Sequence, residues 1–317
     1  MTTEPLHDLP LRQVGRTKLQ VTALGLGSAP LSRIASEADA VATIAAARER
    51  GVRFIDTAPL YGTGRSERLI GMAVRGVPRD SYVLATKVGR LLSPEGGVWF
   101  DFSREATLRS IEQSLERLGL DRIDIVHIHD PDDHPREALE EVFPVLADLR
   151  GQGVIGAVGA GMNQWQMLAH FARNADFDCF LLAGRYTLLE QTALDEFLPL
   201  CQEKGIGVFL GGIYNSGILA KGPQPDATYN YTAAPPAIRE RVAQIAAICA
   251  RHGVALQTAA ARFPLAHPAV TAVVVGAESP AEFLGTVDAL RTPIPAALWD
   301  ELKAAGLLHP AAPVPVG

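Results

Sequence analysis

Cysteine is scarce in this sequence. The three cysteines, Cys179, Cys201 and Cys249, are far apart and each stands in an apolar context. Disulfide frameworks and zinc sites bring cysteines in pairs at short, regular spacings, and no such spacing occurs here. We therefore expect reduced, buried thiols in a cytoplasmic protein, without disulfides and without a metal site built on cysteine.

Long apolar runs and basic clusters are missing as well. No run reaches membrane-spanning length, and no apolar core lies between Met1 and Leu11, where an export signal would need one. The 29 Lys and Arg against 35 Asp and Glu leave a net charge of −6. Nucleic acid and membranes are thus disfavoured as partners. The sequence leaves the oligomeric state open between a monomer and a small homo-oligomer.

What the chain does contain is a regular alternation of short apolar runs and amphipathic helical stretches. Such an alternation is typical of a parallel barrel, and one barrel of about 250 residues with added loops fits 317 residues better than two domains do. We predict a single α/β domain, a (β/α)8 TIM barrel over about 22–291. Its strands are predicted at 23–27, 53–56, 82–87, 124–129, 155–160, 178–182, 207–210 and 272–275.

Several segments fall outside the repeat. Residues 11–21 contain a turn at Gly15-Arg16-Thr17-Lys18 and predict a β-hairpin before the barrel. Residues 256–265 and 295–305 predict extra helices, the second within a C-terminal helix and tail at 292–317. The Pro- and Ala-rich end after His309 is expected to be loose.

Four polar residues stand at or just beyond the ends of three successive predicted strands. They are Asp56, Tyr61, Lys87 and His129. Strand ends of a parallel barrel meet at one mouth, where such barrels keep their chemistry. There, an ammonium group would lower the phenol pKa, the carboxylate would hold the ammonium, and the imidazole would orient the reacting oxygen. None of the four is a hydride source, so a redox reaction would need a cofactor.

Each of these residues also has a structural interpretation. Asp56 suits a turn, Tyr61 a packed loop, Lys87 a solvated strand end and His129 a satisfied core position. Their grouping at three consecutive strand ends favours a shared catalytic role over four unrelated structural roles.

The chain resembles the aldo-keto reductases from about Leu11 to about Leu290. The resemblance is carried by five motifs, which are Phe54-Ile55-Asp56-Thr57-Ala58, Tyr61-Gly62, Ser66-Glu67, Thr86-Lys87-Val88-Gly89 and Ile125-Val126-His127-Ile128-His129. It implies a (β/α)8 barrel whose floor is plugged by the hairpin, a nicotinamide cofactor, and the four residues above as the catalytic set. The segments 158–163 and 211–219 look most like the L-fucose or D-threo-aldose 1-dehydrogenase branch, with pyridoxal 4-dehydrogenase as a relative.

The resemblance also implies where the cofactor lies. The turn after strand eight, which contacts the adenosine phosphate in the family, is here Val275-Gly276-Ala277-Glu278-Ser279-Pro280-Ala281-Glu282. Carboxylates in place of basic residues suit a free ribose diol, so NAD is expected in preference to NADP. The same acids also suit the first turn of a helix. The predicted cofactor contacts are Gly27, Ser28, Asp56, Gly161, Asn163, Ser216, Gly217, Gly276, Ala277, Glu278 and Glu282.

Two departures from the family pattern concern the pocket walls. Asp130 stands where a Trp often follows the histidine, which makes that side polar. Gly211 stands where an aromatic residue usually stacks on the nicotinamide, so that wall is missing or comes from Tyr186 or Tyr214. Asn163 is a possible replacement for the amide side chains that usually hold the carboxamide.

Two long segments, 88–103 and 214–236, are expected near the mouth, because long loops are uncommon without a function. Aromatic residues beside Asn suit a sugar, although the rings could also simply anchor the loops. The predicted substrate contacts are Tyr61, His129, Asp130, Trp99, Tyr229 and Tyr231.

The resulting prediction is NAD-dependent oxidation of the C1 hemiacetal of an aldose to a lactone, with L-fucose, L-galactose or D-arabinose as substrates. Formation of 4-pyridoxolactone from pyridoxal and generic NAD(P)H-dependent carbonyl reduction are the alternatives. A non-catalytic cofactor-binding module differs only in lacking turnover.

A metal-dependent hydrolase is a further alternative, because His127 and His129 share one strand face. The ends of strands five, six and eight offer no further ligands, so no metal is expected.

Overall fold

The computed structural model describes residues 9–92 and 97–316. Within these residues the chain forms fourteen strands, numbered in chain order. They are β1 (Leu11–Gln13), β2 (Gln20–Thr22), β3 (Leu24–Gly27), β4 (Phe54–Asp56), β5 (Val83–Val88), β6 (Arg90–Leu92), β7 (Val98–Phe100), β8 (Ile125–His129), β9 (Ala157–Met162), β10 (Cys179–Ala183), β11 (Gly207–Gly211), β12 (Thr228–Tyr229), β13 (Thr232–Ala233) and β14 (Val270–Gly276).

The helices alternate with the strands. Those in the described residues are α1 (Glu37–Glu49), α2 (Arg65–Ala73), α3 (Arg104–Leu118), α4 (Pro135–Glu137), α5 (Phe143–Gly151), α6 (Trp165–Asn174), α7 (Phe197–Lys204), α8 (Ile218–Lys221), α9 (Pro236–Arg251), α10 (Leu256–Arg262), α11 (Pro280–Arg291) and α12 (Ala296–Ala304). A π-helical turn, Ala138–Val142, joins α4 to α5.

Eight of the strands close into a barrel in the order β3-β4-β5-β8-β9-β10-β11-β14. Every neighbouring pair is parallel, and β14 returns to β3 through the register Gly276↔Gly27. The predicted (β/α)8 barrel is therefore confirmed. The fifth barrel strand, β9, begins two residues later than predicted, because 155–156 still belong to the turn that leads into it.

Local sequence signals explain where the helices start and stop. The hydroxyl of Ser36 accepts a hydrogen bond from the Asp39 N–H at the start of α1, and Ser103 does the same for Ala106 at the start of α3. Gly119 ends α3 at φ 64°, in the left-handed region that a side chain disfavours.

The barrel has two apolar layers. The outer one packs the helices against the outward side chains of the strands, and the inner one fills the barrel itself. Phe54 and Phe209 stack inside at 4.5 Å between ring centroids. Val14 and Val21 of the N-terminal hairpin are fully buried in the same inner cluster. The hairpin therefore seals the floor, and the functional groups are left at the carboxyl ends of the strands.

Three regions differ from the prediction. The long segments contain structure of their own, with β6 and β7 paired after β5, and α8 with the hairpin β12–β13 after β11. Residues 93–96 of the first lie outside the described residues. The expectation of a loose C-terminal end is wrong as far as it is described, because Ala312 is buried and Val314 packs against the core.

All three cysteines are free and buried, as expected. Among the residues that the structure describes, no helix combines the length and the apolar character needed to cross a bilayer.

Candidate active site

The four polar residues at the strand ends come together at the mouth. Asp56 ends β4 and faces inward in the same alternation as Phe54, while Lys87 follows Val83 and Ala85 on the inner face of β5. The Lys87 ammonium donates to Asp56 Oδ1 at 2.9 Å, to Asp56 Oδ2 at 2.7 Å and to the Thr57 carbonyl at 2.7 Å.

This ion pair is dry. The side chains of Lys87 and Asp56 are 2% and 4% exposed. Burial disfavours the charge on Lys87, but Asp56 and Tyr61 outweigh it, so the pKa of Lys87 is raised above its ordinary value. Such a buried pair is fixed in position, because neither partner can leave without stranding the other, and its ammonium stays charged beside Tyr61.

Tyr61 lies between this charge and the imidazole. The Lys87 ammonium is 4.9 Å from its ring centroid, and the His129 ring meets it edge-on at 6.1 Å between centroids. Burial raises the pKa of the Tyr61 phenol above its ordinary value, and Lys87 only partly opposes that shift. The ammonium lowers this pKa as predicted, but desolvation of the phenolate outweighs that attraction and the net shift is upward. In the protein alone the phenol holds its proton at neutral pH.

His129 is an uncharged hydrogen-bonding group. Burial first, and then Lys87, Arg90 and His127, hold the pKa of His129 well below its ordinary value. Its Nδ1 is buried without a hydrogen-bond partner, and its Nε2 lies 3.7 Å from Asp130 Oδ2. A neutral imidazole beside a phenol can orient an oxygen without competing for the proton.

His127 lies one layer below and shares the inward face of β8, as predicted. Neither ring nitrogen has a hydrogen-bond partner, and burial lowers the pKa of His127 to about 3. The ring fits only because Gly159 lacks a side chain, since a Cβ there would lie 2.2 Å from Nδ1. It packs edge-on against Phe209. Nowhere in 9–92 or 97–316 are three His, Cys, Asp or Glu residues grouped as a metal site would need.

A cleft of about 410 Å³ runs from this cluster across the ends of β3, β11 and β14. Most of the residues expected to hold the cofactor line it, namely Gly27, Ser28, Asp56, Ser216, Gly217, Gly276, Ala277, Glu278 and Glu282.

The walls of the cleft fit a nicotinamide cofactor. Much of the lining is backbone, with Gly211 placing no side chain over the cleft and Gly217 facing open space at φ 94°. Ser28 Oγ is buried in the wall with no hydrogen-bond partner, which leaves one polar atom for a ligand to satisfy. Tyr214 also lines the cleft, whereas Tyr186 is fully buried against Phe263, so the suggestion that Tyr186 forms this wall is wrong.

The two carboxylates at the far end of the cleft, Glu278 and Glu282, both have partners within the protein. Arg33 Nε lies 3.4 Å from Glu278 Oε1, and both side chains are well exposed. Glu282 accepts the Glu278 N–H at 2.7 Å, and its own N–H is capped by Ser279. Glu282 therefore has the alternative role that was predicted for these acids, in the first turn of a helix, while Glu278 remains at the surface of the cleft. Arg33 was not predicted; its place just after the end of strand one was the available signal.

Two predicted cofactor contacts lie beside the cleft and not in its wall. The Asn163 amide donates to the Ala183 carbonyl at 2.8 Å. Gly161 faces the barrel interior, where a Cβ would come 3.9 Å from the Lys87 side chain. Their roles toward the carboxamide stay predictions.

The opposite wall of the mouth is charged. Asp130 follows His129 directly with φ 46°, a left-handed conformation, and its carboxylate accepts from Arg90 Nη1 at 2.6 Å. Arg90 also lies over the Phe100 ring, 5.7 Å from its centroid. Sequence reasoning did not single out Arg90, although it directly follows the Thr86–Gly89 motif. Trp99 is next to Phe100 in β7 and points to the other face of that hairpin.

The remaining predicted substrate contacts belong to the β12–β13 hairpin. The Tyr229 hydroxyl donates to Glu190, which Arg185 also contacts at 3.3 Å, so this ring anchors the loop. Tyr231 is 87% exposed and lines the cofactor cleft. The Tyr231 N–H donates to Ser216 Oγ at 3.1 Å and ties the hairpin to the cleft wall.

A phenol, a buried ammonium and a neutral imidazole beside a long cleft form an arrangement that can be compared with known proteins. The sequence profile of the Aldo/keto reductase family matches residues 23–306. The chain belongs to the aldo/keto reductase family. It is therefore an oxidoreductase that uses a nicotinamide cofactor and acts on a small molecule.

Individual relatives agree with this assignment. The chain is 41% identical to D-threo-aldose 1-dehydrogenase from Pseudomonas sp, with 92% of this chain and 95% of that protein aligned. It is 38% identical to pyridoxal 4-dehydrogenase from Microbacterium luteolum, covering 94% and 97%. The solved holo structure of an aldo-keto reductase from Bacillus halodurans matches with a TM-score of 0.80 at 26% identity, over 96% of this chain and 98% of that one.

Proposed function

We propose that this aldo/keto reductase oxidises C1 of a cyclic aldose hemiacetal to a lactone, with NAD as the preferred cofactor. The observation that supports it most is the charged wall beside His129, where Asp130 and Arg90 lie within reach of a polar substrate. A sugar offers hydroxyls to the lone pairs and N–H groups that this ion pair leaves over, whereas a simple aromatic aldehyde offers no hydroxyl. One relative is named D-threo-aldose 1-dehydrogenase, and this name describes the oxidation of an aldose at C1.

The residues divide the work as follows. Tyr61, as phenolate, accepts the proton of the C1 hydroxyl. Lys87, held by Asp56, stabilises that phenolate by its fixed charge. His129 donates a hydrogen bond to the same oxygen and sets its position. A bound nicotinamide supplies the acceptor for the hydride that leaves C1, and the C1 oxygen becomes the lactone carbonyl.

The raised pKa of Tyr61 makes the rates of reduction and oxidation respond differently to pH. A phenol that keeps its proton is ready to donate it to a carbonyl in reduction, while oxidation needs the phenolate. Oxidation should therefore become faster as the pH rises.

The preference for NAD is supported by Glu278 at the end of the cleft. A carboxylate accepts hydrogen bonds from a ribose diol and repels a 2′-phosphate. Arg33 beside it weakens the repulsion, because part of the charge of Glu278 is already compensated. We accordingly expect a preference and not an absolute requirement. The buried free thiols support a cytoplasmic location.

Pyridoxal is the second candidate substrate. It also forms a cyclic hemiacetal, and its flat ring could pack on Phe100, which is half-exposed beside Arg90. The relative named pyridoxal 4-dehydrogenase favours it. Generic carbonyl reduction remains the alternative if neither substrate is oxidised.

The decisive measurement is the product. Purified enzyme is incubated with NAD or NADP and L-fucose, L-galactose, D-arabinose or pyridoxal, and the lactone is detected by mass and by its opening in base. We expect a lactone from at least one aldose and a higher kcat/KM for it than for benzaldehyde reduction. If benzaldehyde reduction is faster and no aldose gives a lactone, the proposal is wrong.

A further inference from the structure

The charged wall of the mouth is a built feature and not a surface ion pair. Arg90 and Asp130 are joined at 2.6 Å with their side chains 31% and 28% exposed. The backbone of Asp130 is fixed by its N–H, which donates to the Gly161 carbonyl at 2.9 Å, and by its left-handed φ of 46°. Among residues with a side chain, Asp and Asn tolerate this conformation best, so the backbone geometry suits an aspartate at this position.

Arg90 is equally constrained. Its guanidinium is placed over the Phe100 ring at 5.7 Å, and its Nε is buried with no hydrogen-bond partner. Burial raises the pKa of Asp130, and the adjacent guanidinium opposes that shift and favours the carboxylate form.

The pair lies next to the reacting atoms. Asp130 Oδ2 is 3.7 Å from His129 Nε2. Because Nδ1 is the nitrogen buried away from solvent, we assign the hydrogen bond to the reacting oxygen to Nε2. On a sugar ring, the oxygen of the neighbouring carbon lies about one hydrogen-bond length, roughly 3 Å, from the reacting oxygen. When the C1 oxygen is held by Tyr61 and His129, the next hydroxyl therefore reaches Asp130.

A hydroxyl needs both an acceptor and a donor. Asp130 offers an acceptor, since its contacts to Arg90 and His129 both use Oδ2 and leave Oδ1. Arg90 offers donors in a rigid planar group. We propose that the Arg90–Asp130 pair recognises the hydroxyl on the carbon next to the reacting carbon, which is C2 of an aldose. This inference rests on the proposed function and narrows the substrate to hemiacetals with a hydroxyl at that position.

The expected discrimination follows from the exposure of the pair. Sites that bury a hydrogen bond to a substrate hydroxyl reject the analogue without it by large factors. Here both side chains keep some contact with solvent, so water can partly satisfy the atoms that the 2-deoxy substrate leaves without a partner. We expect the wild-type enzyme to prefer an aldose over its 2-deoxy counterpart by about 10- to 100-fold in kcat/KM.

The test combines two substrates with four proteins. An accepted aldose and its 2-deoxy counterpart are assayed for lactone formation with wild type, Asp130→Asn, Arg90→Met and Asp133→Asn. Asp133 is an exposed carboxylate three residues along the same loop and serves as the matched control. Both Asp130→Asn and Arg90→Met should lower the preference to less than about threefold, while Asp133→Asn keeps it.

Folding of Asp130→Asn and Arg90→Met is checked separately, by circular dichroism and by the melting temperature against wild type. The readout is the ratio of kcat/KM for the two substrates, because any effect of a substitution on His129 that is common to both substrates cancels in that ratio. Either variant with the full wild-type preference overturns the inference and leaves the proposed function standing. A wild-type enzyme that gives no lactone from any aldose overturns both.

Discussion

The two sides of the barrel mouth differ in the atoms that line them, which are mostly side chains on one side and mostly backbone on the other. At the ends of β4, β5 and β8 the site is built from buried, charged or polar side chains, with Lys87 and Asp56 almost fully removed from solvent. At the ends of β11 and β14 it is built mainly from glycines and backbone, and the charged pair there, Arg33 and Glu278, is 70% and 60% exposed.

This contrast predicts how each side responds to mutation. Breaking a buried ion pair strands a charge and costs about 3–5 kcal/mol, whereas an exposed pair contributes about 0–1 kcal/mol. Substitutions on the side-chain side should therefore abolish function, and those on the backbone side should only adjust it. Four experiments test that difference.

The largest effect is expected from Tyr61→Phe. Removing the hydroxyl leaves the cleft intact but takes away the proton acceptor, so kcat should fall about 10²- to 10⁴-fold while cofactor affinity is unchanged. Steady-state kinetics and cofactor titration measure the two quantities. A variant that keeps more than about a tenth of the wild-type kcat would show that Tyr61 is not the acid–base group.

Lys87→Met should affect both rate and stability. The phenolate loses its fixed charge and Asp56 is left buried without a partner, so turnover should fall sharply and unfolding free energy by about 3 kcal/mol. Arg122→Met is the matched control, because Arg122 pairs with Asp80 at the surface and its loss should cost at most about 1 kcal/mol. Urea denaturation compares the two. Equal losses of unfolding free energy would contradict the distinction between the pairs.

The pH dependence should reveal the raised pKa of Tyr61. The phenol is protonated at neutral pH and oxidation needs the phenolate, so kcat/KM for oxidation should rise about tenfold per pH unit through the neutral and mildly alkaline range. Reduction, which needs the protonated phenol, should show no such rise. His129 is already neutral and adds no second step in this range. A plateau in the oxidation profile below pH 8 would rule out this assignment.

The smallest effect concerns the backbone side. Glu278→Arg with Glu282→Arg should shift the ratio of kcat/KM for NAD over NADP by about tenfold or more toward NADP. Asp288→Arg, an exposed change later in the same helix α11, is the control and should leave the ratio unchanged. Equal efficiency with both cofactors in the unmodified enzyme would remove the basis for this prediction.

The sequence revealed the side-chain half of the site because its information is local. Asp56, Lys87 and His129 each stand at or near the end of an apolar run, and the parallel barrel brings strand ends together without further assumptions. The barrel itself was equally predictable from the eightfold alternation. The sign of the Tyr61 pKa shift was not, because it depends on how deeply the assembled mouth buries the ring.

The other half depends on contacts between distant residues. Arg33 and Glu278 meet only because β3 and β14 are neighbours where the barrel closes. Arg90 reaches Asp130 because β5 pairs with β8, 40 residues apart in sequence at this contact. Neither composition nor periodicity shows which distant residues come into contact, so neither Arg33 nor Arg90 was predicted.

The sealed floor turns the barrel into a cup. With Val14 and Val21 closing the bottom, the described residues leave the rim as the common entrance for both ligands. Ligands enter and leave past the β12–β13 hairpin, which the Tyr231 N–H ties to Ser216 in the cleft wall. Release of product past this hairpin is therefore a candidate for the slow step of turnover once the chemistry itself is fast.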